Sequence, residues 1–170
     1  MTTKIKSVFR KLPLFVILVL LTVACETPQV YPDEPTVSFK SLVVSEKDGN
    51  FSFFTVIHLI DGDGNIGSDD QTTKHLFYDL YALHNGQPVL VELDPPYHMN
   101  LPNLEPEGQN KTLIADIEAD ILLTKQILLE IIPSDTVFFE FYIMDNDSNF
   151  SPHEFTRQVI LNDETTWILP

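Results

Sequence analysis

The stretch DGDGNIGSDD, residues 61–70, holds the side chains best suited to chemistry in this sequence. It brings four aspartates and one asparagine within ten positions: Asp61, Asp63, Asn65, Asp69 and Asp70. Carboxylate and amide oxygens are the ligands that hard cations take in proteins, calcium above all. The stretch is therefore a candidate calcium loop.

The spacing excludes one familiar calcium motif and leaves a second interpretation open. Counted from Asp61, the sixth position is Ile66, where an EF-hand needs glycine, and the twelfth is Thr72 instead of glutamate. The alternative is turn chemistry, in which Asp and Asn side chains bond to nearby backbone while glycines adopt positive φ.

Apolar patterns predict the strands that position this loop. The seven predicted strands are Thr36–Val44, Phe51–Ile60, His75–His84, Pro88–Leu93, Lys111–Leu123, Thr136–Met144 and Phe155–Leu161. Asn85-Gly86 predicts a hairpin, the four prolines of residues 94–110 predict an irregular loop, and residues 124–132 fit either a strand or a short helix. Short strands joined by Gly, Pro and Asn turns predict an all-β fold, an immunoglobulin-like or fibronectin-III-like antiparallel β-sandwich.

This fold would bring a second acidic loop to the first. In such a sandwich, the loops after the second and sixth strands share a pole, which here joins residues 61–70 to residues 145–149. Like charges at that density repel unless a cation bridges them. The predicted calcium ligands are Asp61, Asp63, Asn65, Asp69, Asp145 and Asp147; an acidic pole without a cation is the alternative.

Catalytic signatures are weak, so we predict no enzyme. The sequence has no G-x-S-x-G elbow, and its five histidines never fall at H-x-x-x-H spacing. His58 lies within an apolar strand and is predicted to be a hydrogen-bonded core residue. Paired carboxylates for glycoside hydrolysis remain a third alternative, since 25 acids offer many pairs.

Two aromatic residues are candidates for binding a ligand. Tyr97 lies in the proline-rich loop and Trp167 near the end of the chain, where a ring could stack on a sugar. Aromatic residues in strands belong more often to the core, which leaves these two as the candidate glycan-binding residues.

The N-terminus predicts export and lipid attachment. Four basic residues among the first eleven precede the apolar run Leu12–Ala24, which is shorter than the roughly 20 residues that span a bilayer. The only cysteine, Cys25, follows directly. This arrangement resembles the lipobox of bacterial lipoproteins, which implies cleavage of signal peptide 1–24 and acylation of Cys25, palmitate included.

The charge that remains after cleavage limits the possible partners. Residues 1–24 hold four of the ten Lys and Arg residues and no acid, so the remainder carries 6 − 25 = −19. Binding to nucleic acid through phosphate contacts is excluded, and membrane contact depends on the lipid. Residues 25–35 are predicted to form a lipidated, proline-rich tether, and residues 36–170 a single domain without disulfides.

The whole chain resembles one group of proteins. Its lipobox, acidic proline tether, "DGDGNIG" loop, "DPPY…LP" loop and "DTVFFEFYIMDNDSN" strand are similar to those of small Bacteroidota-type outer-membrane lipoproteins of undetermined function. The resemblance implies an Ig-like domain on the outer membrane, facing the periplasm or the cell surface. We expect a non-enzymatic binding or structural role; the alternative is a glycan-binding accessory lipoprotein of a polysaccharide-utilisation system.

Overall fold

The computed structural model describes residues 29–104, 106, 111–161 and 166–169, the last four by their backbone alone. The chain divides into two compact units, Met1–Val30 and Tyr31–Pro170, and the second holds the fold. Cys25 and the predicted signal peptide lie outside the described residues. Across the part of the chain that is described, no helix is long and apolar enough to cross a membrane.

The second unit consists almost entirely of strands. The described elements are β1 (Thr36–Lys47), β2 (Asn50–Asp61), β3 (Leu76–His84), β4 (Gln87–Val91), β5 (Tyr97–Met99), β6 (Leu113–Thr124), α1 (Lys125–Ile131), β7 (Thr136–Ile143), β8 (Glu154–Phe155), β9 (Val159–Ile160) and β10 (Thr166–Leu169).

These strands form two antiparallel sheets packed face to face. One sheet has the order β10-β1-β2-β6; in the other, of order β4-β3-β7-β8, β5 also pairs with β3 and β9 with β7. Strand β2 pairs with β6 across a crossover, and β3 pairs with β7, as in Greek-key sandwiches of the immunoglobulin and fibronectin-III kind. The predicted all-β sandwich is confirmed.

The core lies between the inner faces of the two sheets. Along β2, alternate residues from Phe51 to Asp61 are buried and those between them are half-exposed, as the period of a strand requires. Phe53 meets Phe139 of the opposite sheet edge to face, with ring centroids 5.2 Å apart. A polar contact at this depth joins the hydroxyls of Thr55 and Tyr78 at 2.7 Å, and burial raises the pKa of Tyr78 to about 12.

The structure decides between the two alternatives for residues 124–132 and divides the predicted last strand. Residues 125–131 form a helix, because burying Leu128 draws this segment against the core. The predicted last strand, Phe155–Leu161, is two short strands. Between them, the Thr156 hydroxyl accepts the N–H of Phe139 and so takes the place of a ladder bond.

The predicted core position of His58 is wrong. Its apolar strand predicts a place in the core, but it lies on the outer face of its sheet, with a side chain 34% exposed. There its Nδ1 lies 2.8 Å from a carboxylate oxygen of Asp116, the residue paired with it on β6. Strand β2 is central in its sheet, yet only one of its faces is covered.

The domain begins before the predicted boundary at residue 36. The compact unit starts at Tyr31, Pro35 is buried, and the N–H of Gly62 donates to the Pro32 carbonyl at 2.9 Å. The end of the predicted tether is thus part of the fold, next to the last residue of β2.

Candidate cation site at one pole of the sandwich

The acidic loop, residues 61–70, meets the loop at residues 145–149. The backbone N–H of Asn146 donates to the Asn65 carbonyl at 3.1 Å, and its side-chain amide donates to the Gly67 carbonyl at 3.0 Å. The Asn65 amide donates in turn to Asp147 Oδ2 at 3.0 Å. The prediction that the two acidic loops share one pole is confirmed.

Asp61 is the most deeply buried acid of this pole. It ends β2 on the inward face and is 0% exposed. Its Oδ2 accepts the backbone N–H of Asn65 at 3.0 Å. Burial is the main cause that raises the pKa of Asp61 to about 6; the nearby charges of Asp63 and Asp145 raise it further, against backbone hydrogen bonds that lower it.

Three oxygens of the acidic loop are buried without a hydrogen-bond donor. They are Asp61 Oδ1, Asp63 Oδ1 and Asn65 Oδ1, and no described residue donates to any of them. A buried polar atom without a partner costs about 1–3 kcal/mol. The three residues are spaced two apart along the loop and are of the oxygen-ligand types that calcium takes.

The Asn65 side chain links the acids on either side of it. Its Nδ2 donates to Asp63 Oδ2 at 3.0 Å as well as to Asp147, so one amide group spans both acidic loops. Its Oδ1 remains among the oxygens without a donor. The amide thus joins two carboxylates that would otherwise repel each other.

Asp145 shapes the second loop through hydrogen bonds of its own. It is 1% exposed, and its Oδ1 accepts the N–H groups of Asp147 at 2.9 Å and Asn149 at 2.7 Å. Its Oδ2 accepts the Asn149 amide at 2.8 Å. The carboxylate is therefore engaged, and its contribution to the pole is mainly negative charge.

The remaining predicted ligand, Asp69, has no oxygen among the three buried ones without a donor. It is exposed and lines a polar cavity of about 520 Å³ together with Asp63, Asn65 and Asn146. Among the described residues, no three His, Cys, Asp or Glu side chains could hold a metal by themselves. A cation here would need the Asn65 amide oxygen as well as the carboxylates.

Ile66 holds the acidic loop in place directly, and His75 does so through Asn100 and Asn146, whose amides donate to the carbonyls of Ser68 and Gly67. Ile66 is 1% exposed within the core cluster, which explains an apolar residue in so polar a stretch. His75 is 0% exposed, with its ring nitrogens 3.0 Å from Oδ1 of Asn100 and of Asn146. Sequence reasoning missed the role of His75, because the asparagines it contacts are 25 and 71 residues away.

The two predicted aromatic ligand residues have different settings. The Tyr97 hydroxyl donates to the Asp120 carbonyl at 3.0 Å and accepts the Leu122 N–H at 3.3 Å, so it fastens β5 to β6. Trp167 lies in β10, paired with Val44, and its side chain lies outside the described part.

An aromatic stack on the outer face of the second sheet offers no flat platform for a sugar. Tyr142 stacks on Phe77 at 4.9 Å and on His153 at 4.2 Å, with interplanar angles of 5° and 6°. Because these rings cover one another's faces, mainly their edges are left to meet a ligand. No observation at this surface favours glycan binding.

Comparisons with protein-family models, with curated proteins and with solved structures find no match for this chain. The candidate site rests on its own geometry.

Proposed function

We propose that this protein is a lipid-anchored, non-enzymatic β-sandwich module of the bacterial outer membrane, in which calcium completes the acidic pole. The observation that carries the calcium proposal is the set of three buried oxygens without a donor on Asp61, Asp63 and Asn65. A bound cation would supply the positive charge that these oxygens and the neighbouring carboxylates lack.

Calcium suits this site better than the other ways of neutralising it. A proton would occupy Asp61 below a pH of about 6, but it would leave the oxygens of Asp63 and Asn65 without partners. Magnesium demands near-ideal octahedral geometry and gives up its water reluctantly. Calcium accepts six to eight oxygens in flexible geometry, and water would fill the positions that the protein leaves.

Calcium should raise the melting temperature of the protein. Extracellular modules bind calcium with a Kd of about 10⁻⁴–10⁻³ M. At the tighter limit, about 1 mM free calcium stabilises the folded state by about 1.4 kcal/mol, a shift of roughly 3–6 °C for a domain of this size. Differential scanning calorimetry of the chain in calcium and in chelator measures this shift.

Two variants in the same loop separate binding from screening. Asp63→Asn should remove most of the calcium shift, whereas Asp69→Asn, at an exposed position, should keep it. Magnesium should act more weakly than calcium, and NaCl at matched ionic strength measures plain screening. Equal shifts with calcium and with NaCl would mean that the loop is only a polar turn.

We propose that the lipid is attached at Cys25, because residues 4–25 consist of basic residues followed by an apolar run and then by the cysteine. Metabolic labelling with a palmitate analogue should mark the wild-type protein and leave Cys25→Ala unmarked. Equal labelling of the two proteins would rule out this attachment site.

A non-enzymatic role is proposed because three acids of the pole, Asp63, Asp145 and Asp147, each accept hydrogen bonds from neighbouring loop residues. Asp145 is held by three hydrogen bonds, and Asp63 and Asp147 share the Asn65 amide. Such an arrangement suits a rigid loop more than proton transfer.

A further inference from the structure

The strongest feature outside the acidic pole is an apolar groove between the two sheets. It lies between the segment Glu92–Met99 on one side and β6 with α1 on the other, and its volume is about 690 Å³. This volume falls within the range of ligand-binding clefts. The buried Leu128 contributes to its floor.

Large apolar side chains line the groove and remain open to solvent. Leu122 and Ile127 are each 58% exposed, and Ile131 is 43% exposed. Ile127 and Ile131 are four residues apart on α1, so they form one ridge along the groove. Contiguous apolar exposure of this kind marks interaction sites on soluble domains.

The two walls of the groove are fixed to each other. The Tyr97 hydroxyl bonds to the backbone of Asp120 and Leu122 and so joins the Glu92–Met99 segment to β6. Pro95 and Pro96 restrict the backbone of the same segment. A groove held this way loses little conformational entropy when a partner binds.

The charged residues that line the groove indicate which charge a partner would carry. Glu92 and Asp94 line it and are exposed, and the exposed Asp120 lies beside it on β6. None of the described lining residues is Lys or Arg. A second copy of this chain is disfavoured as the occupant, because it would bring another acidic surface to an acidic rim.

The groove lies at the end of the sandwich opposite the acidic pole. Thr36, Ile60 and Ile114 share a register at the acidic end, whereas Lys47, Asn50 and Thr124 do so at the other. Helix α1 follows Thr124 directly, and its first N–H donates to the Gly49 carbonyl at 2.9 Å. Since the chain enters the fold beside Gly62, the groove is at the far end from that entry.

We propose that this groove is a docking site for a basic, apolar segment of a partner protein. The apolar side chains of that segment fill the groove, while Lys or Arg residues flanking them pair with Glu92 and Asp94. The apolar contacts provide affinity, and the acidic rim selects the sign of charge.

Three probe peptides test this assignment by fluorescence anisotropy, at about 0.15 M NaCl to limit unspecific charge attraction. In the first, pairs of Leu alternate with pairs of Lys; the second has Glu for Lys, and the third has Ser for Leu. The protein is the chain from residue 25 onward with Cys25→Ser, in which the whole described core, Val37 to Leu161, is retained. The Leu/Lys peptide should bind at least about tenfold more tightly than either of the others.

Matched variants locate the binding site. Ile127→Ser and Leu122→Ser should each weaken the Leu/Lys peptide about fivefold or more. Leu129→Ser is the control, since Leu129 is 44% exposed on the same helix and does not line the groove. The paired change Glu92→Gln and Asp94→Asn should weaken binding, and Glu118→Gln should not.

Each contrary outcome overturns the proposal. If Ile127→Ser and Leu129→Ser weaken peptide binding equally, the groove is not the binding site. Equal binding of the Leu/Glu peptide would assign the groove to an uncharged apolar ligand. Sedimentation velocity that shows a dimer abolished by Ile127→Ser would assign this face to a second copy.

Discussion

Asp61→Asn should stabilise the calcium-free protein at pH 8 by as much as roughly 3 kcal/mol, although it removes a charged group. The pKa of Asp61 is raised from 3.8 to about 6, and a tenfold change in proton affinity corresponds to about 1.4 kcal/mol between the two protonation states. The variant imitates the protonated acid, keeps an oxygen for the Asn65 N–H, and places an amide donor near the other carboxylates.

The sign of the pH dependence follows from the same raised pKa. Because the folded protein holds this proton more tightly than the unfolded chain, the stabilisation is complete below about pH 4 and is lost as the pH rises through about 6. The advantage of Asp61→Asn over wild type should therefore shrink as the pH falls from 8 to about 4. Urea unfolding in chelator measures the difference at each pH.

About 1 mM calcium should narrow the difference between the two proteins by up to about 1.4 kcal/mol, because it stabilises the wild type and loses a ligand in the variant. Asp69→Asn, at an exposed position in the same loop, should leave the pH profile unchanged. If Asp61→Asn is less stable than wild type in chelator at pH 8, the buried Asp61 carboxylate does not destabilise the folded protein.

Gly67→Ala should cost about 3 kcal/mol or more of unfolding free energy. Gly67 has a φ of 93°, and a Cβ added there would overlap the carbonyl of Pro102. The left-handed backbone costs a residue with a Cβ about 1–2 kcal/mol, and overpacking typically adds about 1–3 kcal/mol.

Gly49→Ala is the matched control for this substitution. Gly49 has a φ of 79°, but a Cβ there meets nothing within 4 Å. This variant should lose only the unfolding free energy that the left-handed backbone costs. The difference in unfolding free energy between the two variants therefore measures the cost of the close approach to Pro102 alone. Chemical unfolding of both variants gives the comparison, and equal losses would mean that the segment beside Gly67 moves away freely.

The sequence predicted the features that depend on local pattern. The alternation in β6 and the apolar run of β2 define strands wherever they fold, and Asn85-Gly86 fixes the β3–β4 hairpin. The shared pole of the two acidic loops followed from topology, once the fold class was assigned. The site residues themselves could also be proposed from the sequence, because aspartate and asparagine carry the side-chain oxygens that calcium binds.

What the sequence did not reveal depends on distant contacts. The position of His75 between two asparagines, the close approach of Gly67 to Pro102 and the register of Trp167 with Val44 each join residues far apart in the chain. Single residues carry no signal for such pairs. Residues 124–132 could not be assigned because a short apolar run fits a strand or a helix until its buried face is known.

The opposite positions of the chain entry and the groove have a mechanical consequence. The chain enters at the start of β1, which is paired with β2 from Thr36 to Lys47, and the groove lies beyond the end of β6. Tension between the proposed anchor at Cys25 and a partner docked in the groove, if both proposals hold, would run along the strands. The β1–β2 and β2–β6 ladders would then be loaded in shear, with their hydrogen bonds sharing the force instead of opening one after another.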